Sequence, residues 1–222
     1  MNEEKQNPLA AVFDTAQQMS NQYWSEHAVW NYKAEFPLRY RDQVAVATNL
    51  IIPRLKPSDR MLDIGCANGW YTVIFAPYCR WIDAYDLSEH LLAQARIIAE
   101  RMGYKNIGFA QADVLTLKLA ETYDHAMCLG LLAYVMQDEK MVEILSMIRE
   151  HMSAGGTLLL KDTLSTDRDK LLHDKRYQSR YRTRNLYASL VEKAGFKLAT
   201  EGQLGEPEPS NLCSRYFLFE KI

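Results

Sequence analysis

A chain of 222 residues and 25.6 kDa with 48% hydrophobic content can bury the core of one ordinary α/β domain, which excludes global disorder. Its 26 Lys plus Arg nearly balance 28 Asp plus Glu, so it lacks the overall basic field of a dedicated nucleic-acid binder, and any anion site has to be local. Cys66, Cys79, Cys128 and Cys213 form no CxxC pair and have no His at metal-ligand spacing. That pattern argues against a zinc site or a disulfide framework and fits reduced thiols in a cytoplasmic protein. The polar start MNEEKQNPLA and the lack of any run of 18 apolar residues predict neither a signal peptide nor a membrane partner.

The first forty residues stand apart, with six aromatics between Tyr23 and Tyr40 where the 11% average would place two. They read as a helical lid, 1–40, over the rest. Residues 43–55 carry apolar side chains at helical spacing and stop at Lys56-Pro57. Arg60 to Ile64 reads as a strand, Gly65 to Gly69 as a turn and Trp70 to Ala76 as a helix. Trp81 to Tyr85 is a second strand, and Ser88 can cap a helix running to about Met102, ended by Gly103. Further strands are expected at 106–110, 123–129 and 156–161, with helices over 139–152 and 183–194. Phe196 to Thr200 and Arg215 to Glu220 are expected to pair as an antiparallel hairpin at the sheet edge. Gly202 to Asn211, with two glycines and two prolines, reads as a loop.

Strand, glycine turn and helix followed by an acid after the second strand is the arrangement that binds a nucleoside. Small turn residues let backbone amides approach the ligand, and the acid accepts from ribose hydroxyls. Here Asp63 precedes Gly65-Cys66-Ala67-Asn68-Gly69, and Asp86 follows Asp63 by 23 residues. A glycine turn alone is weak, since any tight strand-to-helix connection selects glycine. Taken singly, Asp86 also reads as a helix cap and Asp113 as an exposed loop acid; their joint spacing carries the assignment.

These residues resemble the class I S-adenosylmethionine-dependent methyltransferases over about residues 43–199. The departure is Ala67 where the GxGxG turn has its middle glycine. The resemblance implies a Rossmann-like three-layer α/β sandwich around a mostly parallel seven-stranded sheet with an antiparallel edge strand, S-adenosylmethionine as cofactor and S-adenosylhomocysteine as product. It implies cofactor-binding roles for Asp63, Gly65, Cys66, Ala67 and Gly69 in the first turn. Asp86 would hold the ribose, Leu87 would pack on the adenine, and Asp113 with Val114 would meet the adenine amino edge. Leu129 and Gly130 would form the floor beside the sulfonium. Nicotinamide enzymes usually want GxGxxG and give Asp113 no role, and the Gly-Lys-Ser/Thr of a P-loop is absent.

A sulfonium already carries a good leaving group, so alignment matters more than a catalytic triad, and a base is optional when the acceptor is already an anion. Catalytic candidates are Tyr134, Lys161 at the end of the fifth strand, and His27 in the aromatic segment; ordinary packing is the alternative for each. His125, early in the fourth strand, reads as a core or surface histidine. Metal-dependent relatives carry an acid at the end of the fourth strand, where this chain has Leu129-Gly130, so no metal is expected.

From Lys161 to Arg184 eight Lys plus Arg face four Asp. This 162–184 insertion and the aromatic segment are expected to enclose the acceptor, through Tyr23, Trp24 and Tyr32 on one side and Asp162, Arg176, Tyr177, Arg180, Tyr181 and Arg182 on the other. Arginine forks suit carboxylate or phosphate, and tyrosine faces suit a ring or sugar. A solvated helix face is the alternative. The expectation is therefore a single domain, 1–222, that methylates a small molecule at oxygen, with an anionic or sugar-like acceptor. A small amine is second and RNA third; DNA is not expected. The acceptor's identity and the oligomeric state are not encoded legibly.

Overall fold

The computed structural model describes residues 17–19, 21–23, 36–173, 177–208 and 210–222. In chain order, helix α1 (Phe36–Ile51) leads through a 3-10 turn to strand β1 (Arg60–Ile64), α2 (Trp70–Phe75), β2 (Trp81–Asp86) and α3 (Glu89–Arg101). Then come β3 (Ile107–Gln111), β4 (Tyr123–Leu129), α4 (Asp138–Glu150), β5 (Met152–Ser165), β6 (Lys170–His173), β7 (Gln178–Tyr181), α5 (Arg184–Lys193), β8 (Phe196–Glu208) and β9 (Leu212–Lys221). Seven strands form one sheet in the order β3-β2-β1-β4-β5-β9-β8. β1 pairs in parallel with β2 and β4, and β9 runs antiparallel between β5 and β8. The expected Rossmann-like sandwich is present. The antiparallel strand sits one place in from the edge, and β8 forms the edge itself.

Burial on both faces explains the composition of the central strands. Leu62 and Ile64 of β1 face one apolar cluster with Cys128, Leu158 and Leu160, closed by Ile144, Leu145 and Ile148 of α4 and Tyr187 and Val191 of α5. Met61 on the opposite face joins Ile82, Met127 and Leu159 beneath Ile51 and Phe75. Alternate residues of one strand thus feed two layers of helices, as the pleat requires. Ser88 accepts from the Leu91 N–H, as expected, and Thr183 caps α5 in the same way by accepting from the Leu186 N–H.

Three expectations need correction. Gly202 to Asn211 is largely strand: Gly202, Gln203 and Leu204 pair with Tyr216, Arg215 and Ser214, and β8 continues to Glu208 after a register shift. An edge strand tolerates proline because one row of its N–H groups needs no partner, and a Cβ on Gly202 would lie 2.3 Å from the Tyr216 hydroxyl, so a close approach selects this glycine. The 162–184 insertion is no helix face. Its residues 162–165 continue β5, and Lys170–His173 and Gln178–Tyr181 pair as a two-stranded sheet, β6 with β7, outside the main one. The first predicted helix begins at Phe36 and ends at Ile51, with Pro53 inside the 3-10 turn.

Gly69 is the N-cap of α2 with φ +77°, and a Cβ there would lie 2.8 Å from that of Ala95 in α3. Left-handed backbone and close helix contact both require glycine. Gly69→Ala should therefore lower unfolding free energy by about 2–3 kcal/mol, adding the left-handed penalty to overpacking. Denaturant melts check this; a loss under about 0.5 kcal/mol would show that the turn relaxes freely.

Candidate active site

The strand ends converge on a cavity of about 330 Å³, within the usual range for small-molecule sites. It lies outside the carboxyl ends of β1 to β4, where open α/β sheets place their ligands, and is flanked by Lys161 of β5, a strand that runs on to Ser165. A second cavity, about 310 Å³, opens at the other end of the strands beside Lys56, Asp59, His125 and the Gly155-Gly156 pair. His125 is buried there between the Thr157 hydroxyl at 2.7 Å and the Asp59 carboxylate at 3.2 Å, consistent with a core histidine.

Asp86 ends β2 at the centre of the first cavity. Its Oδ2 accepts from the Ala67 N–H at 2.8 Å and its Oδ1 from the Ser88 N–H at 2.9 Å. The glycine turn is pinned to β2 as well, since the Gly65 and Cys66 N–H groups both donate to the Tyr85 carbonyl. Ala67 has φ +48°, so the residue that stands where a GxGxG turn has its middle glycine adopts the left-handed conformation. Each Asp86 oxygen keeps lone-pair capacity beyond these backbone bonds, which suits two vicinal ribose hydroxyls. Burial raises the Asp86 pKa, and the N–H groups of Ser88, Ala67 and Leu87 oppose that rise.

Asp113, after β3, also lines the cavity. Its Oδ1 accepts from the Leu115 N–H at 2.9 Å and its Oδ2 from the Asn21 side-chain amide at 3.0 Å. Asn21 is held in turn by Gln17 Nε2, and Gln17 Oε1 accepts from the Met136 N–H. The described part of the N-terminal segment thus bridges the cavity from the β3 end to the β4 end. Leu87, Val114, Leu91 and Leu117 supply apolar wall, and Leu129 and Gly130 reach it at the β4 terminus. These groups fit S-adenosylmethionine: an acid pair spaced for ribose and adenine amine, apolar side chains for the base, and a backbone turn without bulky side chains.

Asp63 does not reach the wall. It is 3% exposed behind the turn, where its Oδ2 accepts from the Thr72 hydroxyl at 2.6 Å. Cys66 packs with Ala84 and Leu92, and Gly69 against α3, so both build the turn and neither lines the cavity. Thus Asp86, Asp113, Gly65 and Ala67 come together, while Asp63 supports them from behind.

Tyr134, on the 3-10 turn Leu132–Tyr134, lines the cavity, as does Lys161. Burial pushes the Tyr134 phenol well above its usual range, helped by the neighbouring tyrosines, which favours its neutral form. Tyr177 stands edge-on to Tyr134 with centroids 5.6 Å apart, and Tyr23 lies 5.1 Å from Tyr177, which brings these two expected acceptor residues behind Tyr134. Tyr181 pairs with Lys170 in the β6–β7 pair. His27, Trp24, Tyr32 and Arg176 lie outside the described residues.

The arginine expectation is overturned for two residues. All three guanidinium nitrogens of Arg182 donate inward, to Asp138, the Leu132 carbonyl and the Val135 carbonyl, and the residue is 1% exposed. Arg180 donates to Asp169, Asp138 and the Met136 carbonyl. Charge counting finds such residues but cannot say which way they point. Asp162 is also internal, accepting from the Tyr187 hydroxyl at 2.7 Å and the Ala133 N–H at 3.3 Å. Sequence reasoning missed Gln43 and Tyr71, hydrogen-bonded to each other at the cavity wall, because their wall position depends on how α1 and α2 pack.

Residues 61–156 match the family model described as "Methyltransferase domain". A curated relative, "Probable methyltransferase ltbC" of Aspergillus luteorubrus, is 30% identical over 125 residues, 51% of this chain and 43% of the relative, so the match spans less than half of that protein. Among solved structures, a SAM-dependent methyltransferase of Leishmania major aligns with a TM-score of 0.71 at 18% identity over 98% of this chain and 87% of that one. N-methyltransferase NodS of Bradyrhizobium japonicum WM9, in complex with S-adenosyl-L-homocysteine, aligns at 0.69 and 16% identity over 93% and 98%.

The buried Asp63 gives a pH test. Burial, with a smaller push from Asp86, raises its pKa to about 7 against the Thr72 hydrogen bond. The folded state then binds a proton more tightly than the unfolded chain, so stability falls as pH rises from about 4 to about 7. Asp63→Asn should flatten that slope in thermal midpoints measured across the same window. Parallel slopes for the two proteins would contradict the assignment.

Proposed function

We propose that this chain, a methyltransferase domain of the class I Rossmann-like kind, transfers the methyl group of S-adenosylmethionine to a small-molecule acceptor in the cytoplasm, as one domain over residues 1–222. The reading rests on one observation: Asp86 and Asp113 line a single cavity together with Gly65 and Ala67 of the turn. When bound, the cofactor supplies an activated methyl group on a sulfonium. The protein's residues do the rest by holding and aligning. Asp86 anchors the ribose, Asp113 the adenine amine, and Asp63 stiffens the turn through Thr72. Leu129 and Gly130 face the sulfur end, and apolar walls exclude water. The four cysteines are free and buried, in keeping with a reducing compartment.

The acceptor end is assigned to Tyr134, Lys161, Gln43 and Tyr71. Lys161 is the one cation among the described residues lining the cavity, and it supports an oxygen acceptor that arrives as an anion. Tyr134 would donate a hydrogen bond to it, so no base is required. With Arg180 and Arg182 bonded inside the fold, the wider basic cluster no longer supports phosphate-rich or RNA acceptors. A small amine is the second reading, favoured by the tyrosine rings grouped at Tyr134, whose faces attract cations.

Asp86→Ala should weaken S-adenosylhomocysteine binding by roughly 100-fold, the loss of two charge-assisted hydrogen bonds, while far-ultraviolet circular dichroism stays unchanged. Titration calorimetry measures it. Affinity within about threefold of the unaltered protein would remove Asp86 from the site and the assignment with it.

A further inference from the structure

The turn over the sulfur end of the cavity has little regular structure of its own. Residues 131–136 comprise one 3-10 turn between β4 and α4, yet Leu131, Tyr134 and Val135 all line the cavity. Leu131 lies directly on the glycine turn, where a Cβ on Gly65 would come within 2.7 Å of its Cδ1. A segment so short holds its shape only if its backbone groups find partners elsewhere.

Those partners come mostly from the β6–β7 pair. Arg182, just past β7, donates from Nη1 to the Leu132 carbonyl at 3.2 Å and from Nη2 to the Val135 carbonyl at 2.8 Å. Its Nε donates to Asp138 Oδ1 at 2.8 Å, which ties the same fork to the first turn of α4. Arg180, two residues earlier, takes the Met136 carbonyl at 2.7 Å. Asp162 accepts the Ala133 N–H from β5. A guanidinium reaches three acceptors in fixed directions from one plane, which an ammonium cannot reproduce. Burying a charged arginine at 1% exposure is costly, and Asp138 with the two carbonyls compensates it.

We propose that Arg182 is a positioning residue: through the Leu132 and Val135 carbonyls it sets the height of Leu131 and Tyr134 above the cavity floor. The insertion thereby shapes cofactor and acceptor binding from behind the turn, without touching either. This inference rests on the reading of the cavity as the S-adenosylmethionine site.

The test compares the unaltered protein with Arg182→Lys, Arg180→Ala and Arg184→Ala, at a temperature well below every unfolding midpoint. Arg184 pairs with Glu201 and makes no contact with the turn, so Arg184→Ala controls for lost stability alone. S-adenosylhomocysteine affinity is expected to fall roughly tenfold in Arg182→Lys and about threefold in Arg180→Ala, and to stay within about twofold in Arg184→Ala. Amide exchange at residues 133–136 should rise in Arg182→Lys without ligand, while exchange in β1 and β4 is unchanged. Lower stability in Arg182→Lys with unaltered affinity and unaltered exchange in the turn would overturn the proposal. If Arg182→Lys does not fold, unaltered affinity and turn exchange in Arg180→Ala overturn it instead. Failure of the unaltered protein to bind S-adenosylhomocysteine would overturn the site reading and this inference together, whereas equal binding by all four proteins would overturn the inference alone.

Discussion

A carboxylate that bonds two backbone N–H groups from different elements organises this molecule's ligand-binding end. Asp86 closes β2, and its oxygens accept from Ala67 in the turn after β1 and from Ser88 at the start of α3. One side chain therefore sets the spacing between the glycine turn and the helix that follows β2. Bonds from a charged acceptor to backbone donors are among the stronger ones in a protein, and burial strengthens them further. Without this acid, the Ala67 and Ser88 N–H groups would have to find other acceptors, while the Gly65 and Cys66 bonds to the Tyr85 carbonyl would still hold the turn to β2. The same oxygens that build the turn keep lone-pair capacity toward the cavity, so on the proposed reading local structure and ribose recognition fall to one group.

The second constraint comes from behind the cavity. β4 ends at Leu129, and the chain needs only a few residues to reach α4, so the intervening turn is held from outside by Asp162, Arg180 and Arg182. The buried Asp162–Tyr187 pair links this support to α5, and burial raises the Asp162 pKa to about 6 against that hydrogen bond. Charges near an active site are often credited with substrate contact. Here their geometry makes them part of the frame, and Tyr134 and Lys161 line the cavity at that end.

Much of the fold was legible in the sequence because the central strands are short, apolar and separated by strong punctuation. Gly65, Gly69, Gly103 and Gly195 marked turns at which the backbone does adopt positive φ. That Asp86 and Asp113 share one cavity was legible for a related reason: topology fixes their positions at strand ends. Asp63 shares that spacing but points behind the turn, because the pleat alternates side-chain direction and Thr72 offers a partner there. What composition could not show was the direction of long side chains. Arg180 and Arg182 looked like ligands by count and donate instead to backbone carbonyls. Gly202 to Asn211 looked like a loop by composition, yet pairing with β9 turned most of it into an edge strand. Gln17, Asn21, Gln43 and Tyr71 carried no motif, since only tertiary packing brings them to the wall.

A crystal structure with S-adenosylhomocysteine tests the central claim most directly. The account predicts density in the cavity at the carboxyl ends of the strands, with both ribose hydroxyls within hydrogen-bond distance of Asp86, the adenine amine at Asp113 and the sulfur facing Tyr134. Density at the opposite end of the sheet beside His125, or a nucleoside in the first cavity that leaves Asp86 bonded only to its own backbone, would contradict it.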